Sequence, residues 1–215
     1  MGSKMTAIME IEQEPELRFF RQLEDNVDIG AMLDEIDGQE ELWTYDTSRQ
    51  DKIKCQRETN TIYLRSGKKP YPAGVSGNDV QESRPTRLSA RFPVTLGWTE
   101  NFAAKLGGEL GRVAIVKLLP NGRVYRHIDH GEYYQIRDRY HLVLRSRAGS
   151  PLVCGDELVR MQDGEVWWLD NKAPHEAYNE SDQGRIHLIF DVLPNSRRPS
   201  LAQRIRKRFQ RRPAP

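Results

Sequence analysis

The feature that most constrains this chain is a change of texture at Gly111. From there the sequence breaks into short strand-like runs: Gly111–Leu119, Val124–His127, Arg139–Ser146, Leu152–Cys154, Leu158–Met161, Glu165–Leu169, His175–Asn179 and Arg185–Val192. Turn signals separate them, among them Pro120-Asn121-Gly122, Ala148-Gly149-Ser150-Pro151, Asp163-Gly164 and Asp182-Gln183-Gly184. Many short strands at close spacing indicate a sandwich or a barrel. The earlier residues read differently. Leu17, Phe20, Leu23 and Val27 recur at helical spacing and predict a helix over 14–37. Thr59–Leu64 is β-branched and aromatic and predicts a strand. Residues 66–86, rich in Gly, Pro, Ser and Lys, predict a long loop, and 100–110 a short helix weakened at Gly107-Gly108. There is no internal repeat.

Length and composition set the outer bounds. A chain of 215 residues with 37% apolar and 30% charged residues suits one domain with a modest core. No run approaches the ~20 apolar residues that span a bilayer, and no basic-then-apolar export segment opens the chain. Cys55 and Cys154 stand far apart in unlike contexts, as thiols of a reducing compartment do. A cytoplasmic protein without a membrane partner is therefore expected. Met1–Met5 reads as an expression remnant. The net charge of +2 hides an asymmetry: residues 196–215 hold eight cations and no acid, leaving −6 for the rest. In that tail Leu201, Ile205 and Phe209 form one apolar stripe, so it reads as a basic helix docked on the core. Contact with nucleic acid is its second reading.

All five histidines, 127, 130, 141, 175 and 187, fall in the β-part. His127 and Asp129 are separated by one residue, which on an extended segment puts imidazole and carboxylate on the same face. His175 follows 46 residues after Asp129. Two histidines and a carboxylate on one face of a metal leave the opposite positions open, the arrangement of non-haem Fe(II) sites that activate O2. Ten residues past His175 stands Arg185. Alternation puts Arg185, His187 and Ile189 on one strand face and Ile186, Leu188 and Phe190 on the other. A guanidinium on the first face grips a carboxylate with two parallel hydrogen bonds, as the far carboxylate of 2-oxoglutarate requires. Likewise Arg137, Arg139 and His141 share one face, and three donors there call for anions opposite.

Together these stretches resemble the aspartyl/asparaginyl β-hydroxylase family. The resemblance rests on Tyr125-Arg-His127-Ile-Asp129-His130, Arg139-Tyr-His141-Leu-Val-Leu144, Gly164 through Asn179 and Arg185-Ile-His-Leu-Ile-Phe-Asp191. It implies a mainly β fold with flanking helices around a double-stranded β-helix, the jelly roll or cupin core. It implies iron on His127 and His175, with Arg185, Arg139 and His141 around the 2-oxoglutarate carboxylates. It puts Arg137 at a position that holds the substrate carboxylate in peptide-hydroxylating members. The animal enzymes of the family lack a carboxylate ligand, so Asp129 makes this chain more similar to small bacterial members, which include free-proline hydroxylases.

The expected plan is a remnant at 1–5, a helical extension at 6–85, a catalytic core at 86–195 and the basic tail at 196–215. The expected activity is hydroxylation of an unactivated carbon in an amino-acid side chain, free or within a peptide or protein, using Fe(II), 2-oxoglutarate and O2. Two other readings are the same chemistry on another small molecule or a lipid, and a non-redox cupin-like module whose tail binds nucleic acid. The site residues do not fix the substrate, the carbon attacked or the oligomeric state.

Overall fold

The structure is a computed structural model that describes residues 16–71 and 73–198. The expression remnant and the basic tail beyond Arg198 lie outside the described residues.

Eleven strands form two antiparallel sheets among the described residues. In chain order they are β1 (Phe20–Glu24), β2 (Thr59–Ser66), β3 (Arg84–Pro85), β4 (Gly108–Leu118), β5 (Arg123–His127), β6 (Asp138–Arg145), β7 (Leu152–Cys154), β8 (Glu157–Val159), β9 (Val166–Leu169), β10 (His175–Tyr178) and β11 (Arg185–Pro194). The helices are α1 (Gly30–Ile36), α2 (Ser48–Lys52), α3 (Pro93–Lys105) and α4 (Glu132–Gln135), with short 3-10 turns between them. The large sheet runs β1-β9-β6-β11-β4-β2-β3 and the small one β5-β10-β7-β8. From β4 to β11 the chain thus passes back and forth between the two sheets, except at the β7–β8 hairpin within the small one; this is a double-stranded β-helix.

The pleat sorts the side chains into two cores. On β11, Ile186, Leu188, Phe190 and Val192 face a helix layer that carries Met32, Ile36 and Phe102. From β6, Tyr140, Leu142 and Leu144 join the same cluster. The opposite faces meet the small sheet: Val143, Trp167 and Leu169 pack there with Val124, Leu152 and Ala177. The large sheet is therefore buried on both faces. This explains why its central strands read as nearly continuous apolar runs.

Two expectations change. Residues 14–37 are not one helix. Phe20–Glu24 is a strand that adds to β9, with Phe20 opposite Leu169 and Arg21 opposite Trp168. The unpaired edge of β9 offers hydrogen bonds that a lone helix cannot match, and burial of Phe20 at 1% exposure completes the preference. Asn26, at φ 55, then turns the chain into α1. With β1 and β2 both in the large sheet, residues 20–66 belong to the core rather than to a helical extension. The second change is at α3, which begins at Pro93 and not near 100. Proline suits a first helical turn. Gly107, at φ +64, ends the helix, so that Gly108 opens β4.

Candidate metal centre and its cavity

The centre sits where two strands of the small sheet pair. His127 closes β5 and His175 opens β10, and the two face each other in register. Their ring centroids are 4.3 Å apart. Asp129 lies just past the end of β5, held by a backbone hydrogen bond of 3.1 Å to the Asn171 carbonyl. One ligand atom from each of His127, Asp129 and His175 lies within 4.8 Å of the others. The sequence spacing therefore does bring the three together.

Local hydrogen bonds decide which atoms face inward. Nδ1 of His127 lies 2.8 Å from the Tyr125 carbonyl, and Nδ1 of His175 lies 2.9 Å from the Ala173 carbonyl. A carbonyl only accepts, so both Nδ1 atoms carry the proton and both Nε2 atoms present lone pairs. Asp129 Oδ2 accepts from Asn171 Nδ2 at 2.9 Å and from Arg139. Oδ1 is left facing His127 Nε2, 3.8 Å away. Two imidazole lone pairs and one carboxylate oxygen thus converge, a donor set that fits Fe(II) with positions to spare.

Charge is arranged to the same end. Burial works against the Asp129 carboxylate, but Arg139, His175 and Asn171 outweigh it and hold its pKa down to about 2. Burial pushes His175 down to about 4, although Asp129 opposes this. Asp129 is therefore anionic and His175 neutral, as binding requires. Arg139 is buried too, and Asp129 and Asp191 overcome that burial to keep it charged. Its Nε donates to Asp191 at 2.9 Å. This revises the expected role of Arg139. It points into the core as predicted, yet its guanidinium already serves two carboxylates of the chain itself.

The cavity continues between the sheets to Arg185. It is lined by His127, His175, Arg139, His141, Arg185 and an apolar wall that includes Val116, Val124, Leu152 and Ile189. Arg185 is 6% exposed, and its Nε and Nη1 have no hydrogen-bond partner among the described residues. Desolvation alone lowers its pKa, to about 10. A buried guanidinium without a carboxylate is costly unless a ligand supplies one. Beside it His141 and His187 share a hydrogen bond between their Nδ1 atoms at 3.2 Å, and burial holds both well below their ordinary pKa. Both Nε2 atoms lack partners. Sharing one proton between their Nδ1 atoms leaves this neutral pair one Nε2–H to donate, and together with Arg185 Nε and Nη1 it fits a bound carboxylate group.

One expected residue falls elsewhere. Arg137 precedes β6 and does not line this cavity. Its guanidinium donates to the Gln81 side chain at 2.6 Å, the Gln81 carbonyl at 3.0 Å and the Tyr133 carbonyl at 3.2 Å. The shared-face reading fails because Arg137 stands outside the strand, with its donors taken by Gln81 and the Tyr133 carbonyl. Neither Trp167 nor Trp168 walls the cavity. Asn179 ties Leu119 and Gln183 together at a turn and leaves the ligands alone. Sequence reasoning missed three residues. Asn171 braces Asp129. Gln56 Nε2 lies 3.4 Å from His127 Nε2. Arg49, on α2, lines the same cavity. Asn171 stood four residues before His175, a legible signal; Gln56 and Arg49 come from a segment that only tertiary packing brings over the site.

Residues 37–194 match the family model described as Aspartyl/Asparaginyl beta-hydroxylase. An L-proline cis-4-hydroxylase of Rhizobium meliloti (strain 1021) is 35% identical over 77 residues, which cover 36% of this chain and 28% of that protein. An L-proline cis-3-hydroxylase 1 of Streptomyces sp is 30% identical over 116 residues, covering 51% and 38%. The matches thus span well under half of either relative. Among solved structures, a 2OG-Fe(II) oxygenase family oxidoreductase from Burkholderia pseudomallei is 13% identical with a TM-score of 0.48, covering 81% of this chain and 97% of that one. Because the family model spans most of its length, the chain belongs to the aspartyl/asparaginyl β-hydroxylase family.

Proposed function

We propose that the protein is an Fe(II)- and 2-oxoglutarate-dependent hydroxylase acting on an unactivated carbon of an amino-acid side chain, free or within a peptide. The observation that carries this is a single cavity lined both by His127 and His175, which converge with Asp129, and by a buried guanidinium whose Nε and Nη1 are unpaired among the described residues. His127 and His175 would hold iron through Nε2, and Asp129 through Oδ1. Bound there, the iron supplies the activation of O2 that couples decarboxylation of 2-oxoglutarate, to succinate and CO2, to hydroxylation.

The chain's own residues do the rest. Arg185 grips the distal carboxylate with charge-assisted hydrogen bonds, stronger in a dry cavity. His141 donates beside it. Arg139 and Asn171 hold Asp129 Oδ2, which fixes the direction of Oδ1. Val116, Val124, Leu152 and Ile189 keep water out. The two relatives are named L-proline hydroxylases, which supports an amino-acid substrate here.

The test is aerobic incubation with Fe(II), 2-oxoglutarate and panels of amino acids and peptides, read by mass spectrometry. One product should gain a single oxygen, matched by one succinate. No oxidised product across both panels, with 2-oxoglutarate consumption no greater than that of the His175→Ala protein, contradicts the proposal.

A further inference from the structure

Arg185 accounts for one buried cation of the cavity, but a second one has no role yet. Arg49 sits on α2, outside the strands, and lines the cavity together with Gln56, His127 and His175. The side chain is half-buried, and its Nε is closed to solvent with no hydrogen-bond partner among the described residues. Its guanidinium makes one side-chain hydrogen bond, a donation to the Tyr63 hydroxyl at 3.1 Å. No carboxylate of the described residues lies within ion-pair distance of it, in contrast to Arg139 with its two. Burial works against its charge, but the facing tyrosines, Tyr63 and Tyr134, outweigh that and raise its pKa, so the group stays a cation. A desolvated guanidinium with spare donors and no acid is an anion site awaiting its anion.

Position narrows the class of anion. Arg49 reaches the cavity from α2 and Arg185 from β11, and Gln56, four residues past α2, lies 3.4 Å from His127 Nε2, so the α2 side of the cavity adjoins the triad. Tyr63, which accepts from Arg49, also lines an open cleft of about 480 Å³ on the outer side, with Lys68, Lys69, Arg87 and Arg112 around it. The cation therefore lies between the open surface and the ligand triad. Arg137, expected at this task, is turned away and held by Gln81 and Tyr133.

We infer that Arg49 receives the carboxylate of the substrate, an amino-acid carboxylate that enters past Tyr63 and is held with its side chain toward the triad. The inference rests on the proposed function for what else the cavity holds. Its chemistry is recognition only: Arg49 Nε and one terminal nitrogen donate in parallel to the two carboxylate oxygens.

The experiment is ligand-observed NMR on the full chain loaded with Zn(II), a redox-silent stand-in, and 2-oxoglutarate. The probes are the standard amino acids and, for each one that binds, its C-terminal amide. The wild type should bind at least one free amino acid at least tenfold more tightly than its amide. Arg49→Gln should bind acid and amide alike, and Arg49→Lys should recover part of the preference. 2-Oxoglutarate should bind all three proteins equally, which also reports that the variants fold. Retained preference in Arg49→Gln overturns the assignment, as does a wild type that binds 2-oxoglutarate but no amino-acid carboxylate. Failure of 2-oxoglutarate to bind the wild type sinks the proposed function instead, while the acid-against-amide comparison still judges Arg49.

Discussion

At the scale of single residues, Arg185 and Asn171 predict opposite balances of stability and function. Arg185 is buried with no acid beside it, so it costs stability in the empty protein. Arg185→Met should therefore leave the urea midpoint unchanged or raised. The same change should weaken 2-oxoglutarate binding by about 2–5 kcal/mol, the usual loss when one side of a buried charged pair is removed. A calorimetric titration beside a urea melt checks both, and a lowered midpoint would show that Arg185 has a partner within the chain. Asn171 predicts otherwise. It touches Asp129 and not the metal position, so Asn171→Ala should reduce metal affinity roughly 10- to 100-fold, as loss of a partner behind a ligand does. Competition with a metal chelator measures this; unchanged affinity would mean that Arg139 alone orients Asp129. At this scale the sequence was legible for His127, Asp129, His175 and Arg185, because the strand period of two and the spacing of ligands are local facts. It was not legible for Arg139, whose side chain turns to Asp129 and Asp191. Nor could it show Arg49, which reaches the site only through the packing of α2 on β2.

At the scale of elements, the strand boundaries after Gly111 were readable to within a few residues, since turn chemistry and alternation are both written locally. The first strand was not. Leu17, Phe20, Leu23 and Val27 keep helical spacing, and only the open edge of β9 makes Phe20–Glu24 extended. That difference is testable. Phe20 is buried in the cluster between the sheets, so Phe20→Ala should destabilise the protein by roughly 3–5 kcal/mol. Chemical denaturation measures this, and a loss near 1 kcal/mol, as at a surface position, would contradict the packing of Phe20 between the sheets. Arg137 teaches the same lesson: alternation extended backward past β6 puts it on the face of Arg139, whereas its guanidinium is held by the Gln81 loop.

At the scale of the whole molecule, the β-core from β4 to β11 encloses a buried polar seam, and that seam sets the response to pH. His141, His175 and His187 are all held below their ordinary pKa by burial, His175 to about 4. The unfolded chain takes up their protons near pH 6.5 and the folded chain does not, so the metal-free protein binds fewer protons when folded. Stability must then fall as pH drops from about 6.5 toward 4. His175 alone contributes on the order of 3 kcal/mol to that fall. Asp129, held at about 2, adds a further loss below about pH 4 as the unfolded carboxylate protonates first. Urea midpoints of the metal-free protein between pH 7.5 and 4.5 should show the decline, and a flat profile would mean that the three imidazoles are solvated. The jelly roll itself was legible, because eight short strands with turns between them leave few ways to bury both faces of a sheet. The central claim is that one cavity holds iron and 2-oxoglutarate together. The most direct measurement is anaerobic absorption spectroscopy with Fe(II) and 2-oxoglutarate added to the full chain. A weak visible charge-transfer band should appear only when both are present, and should be lost in His175→Ala and weakened in Arg185→Met. A wild-type spectrum that equals the sum of its separate components would contradict the account.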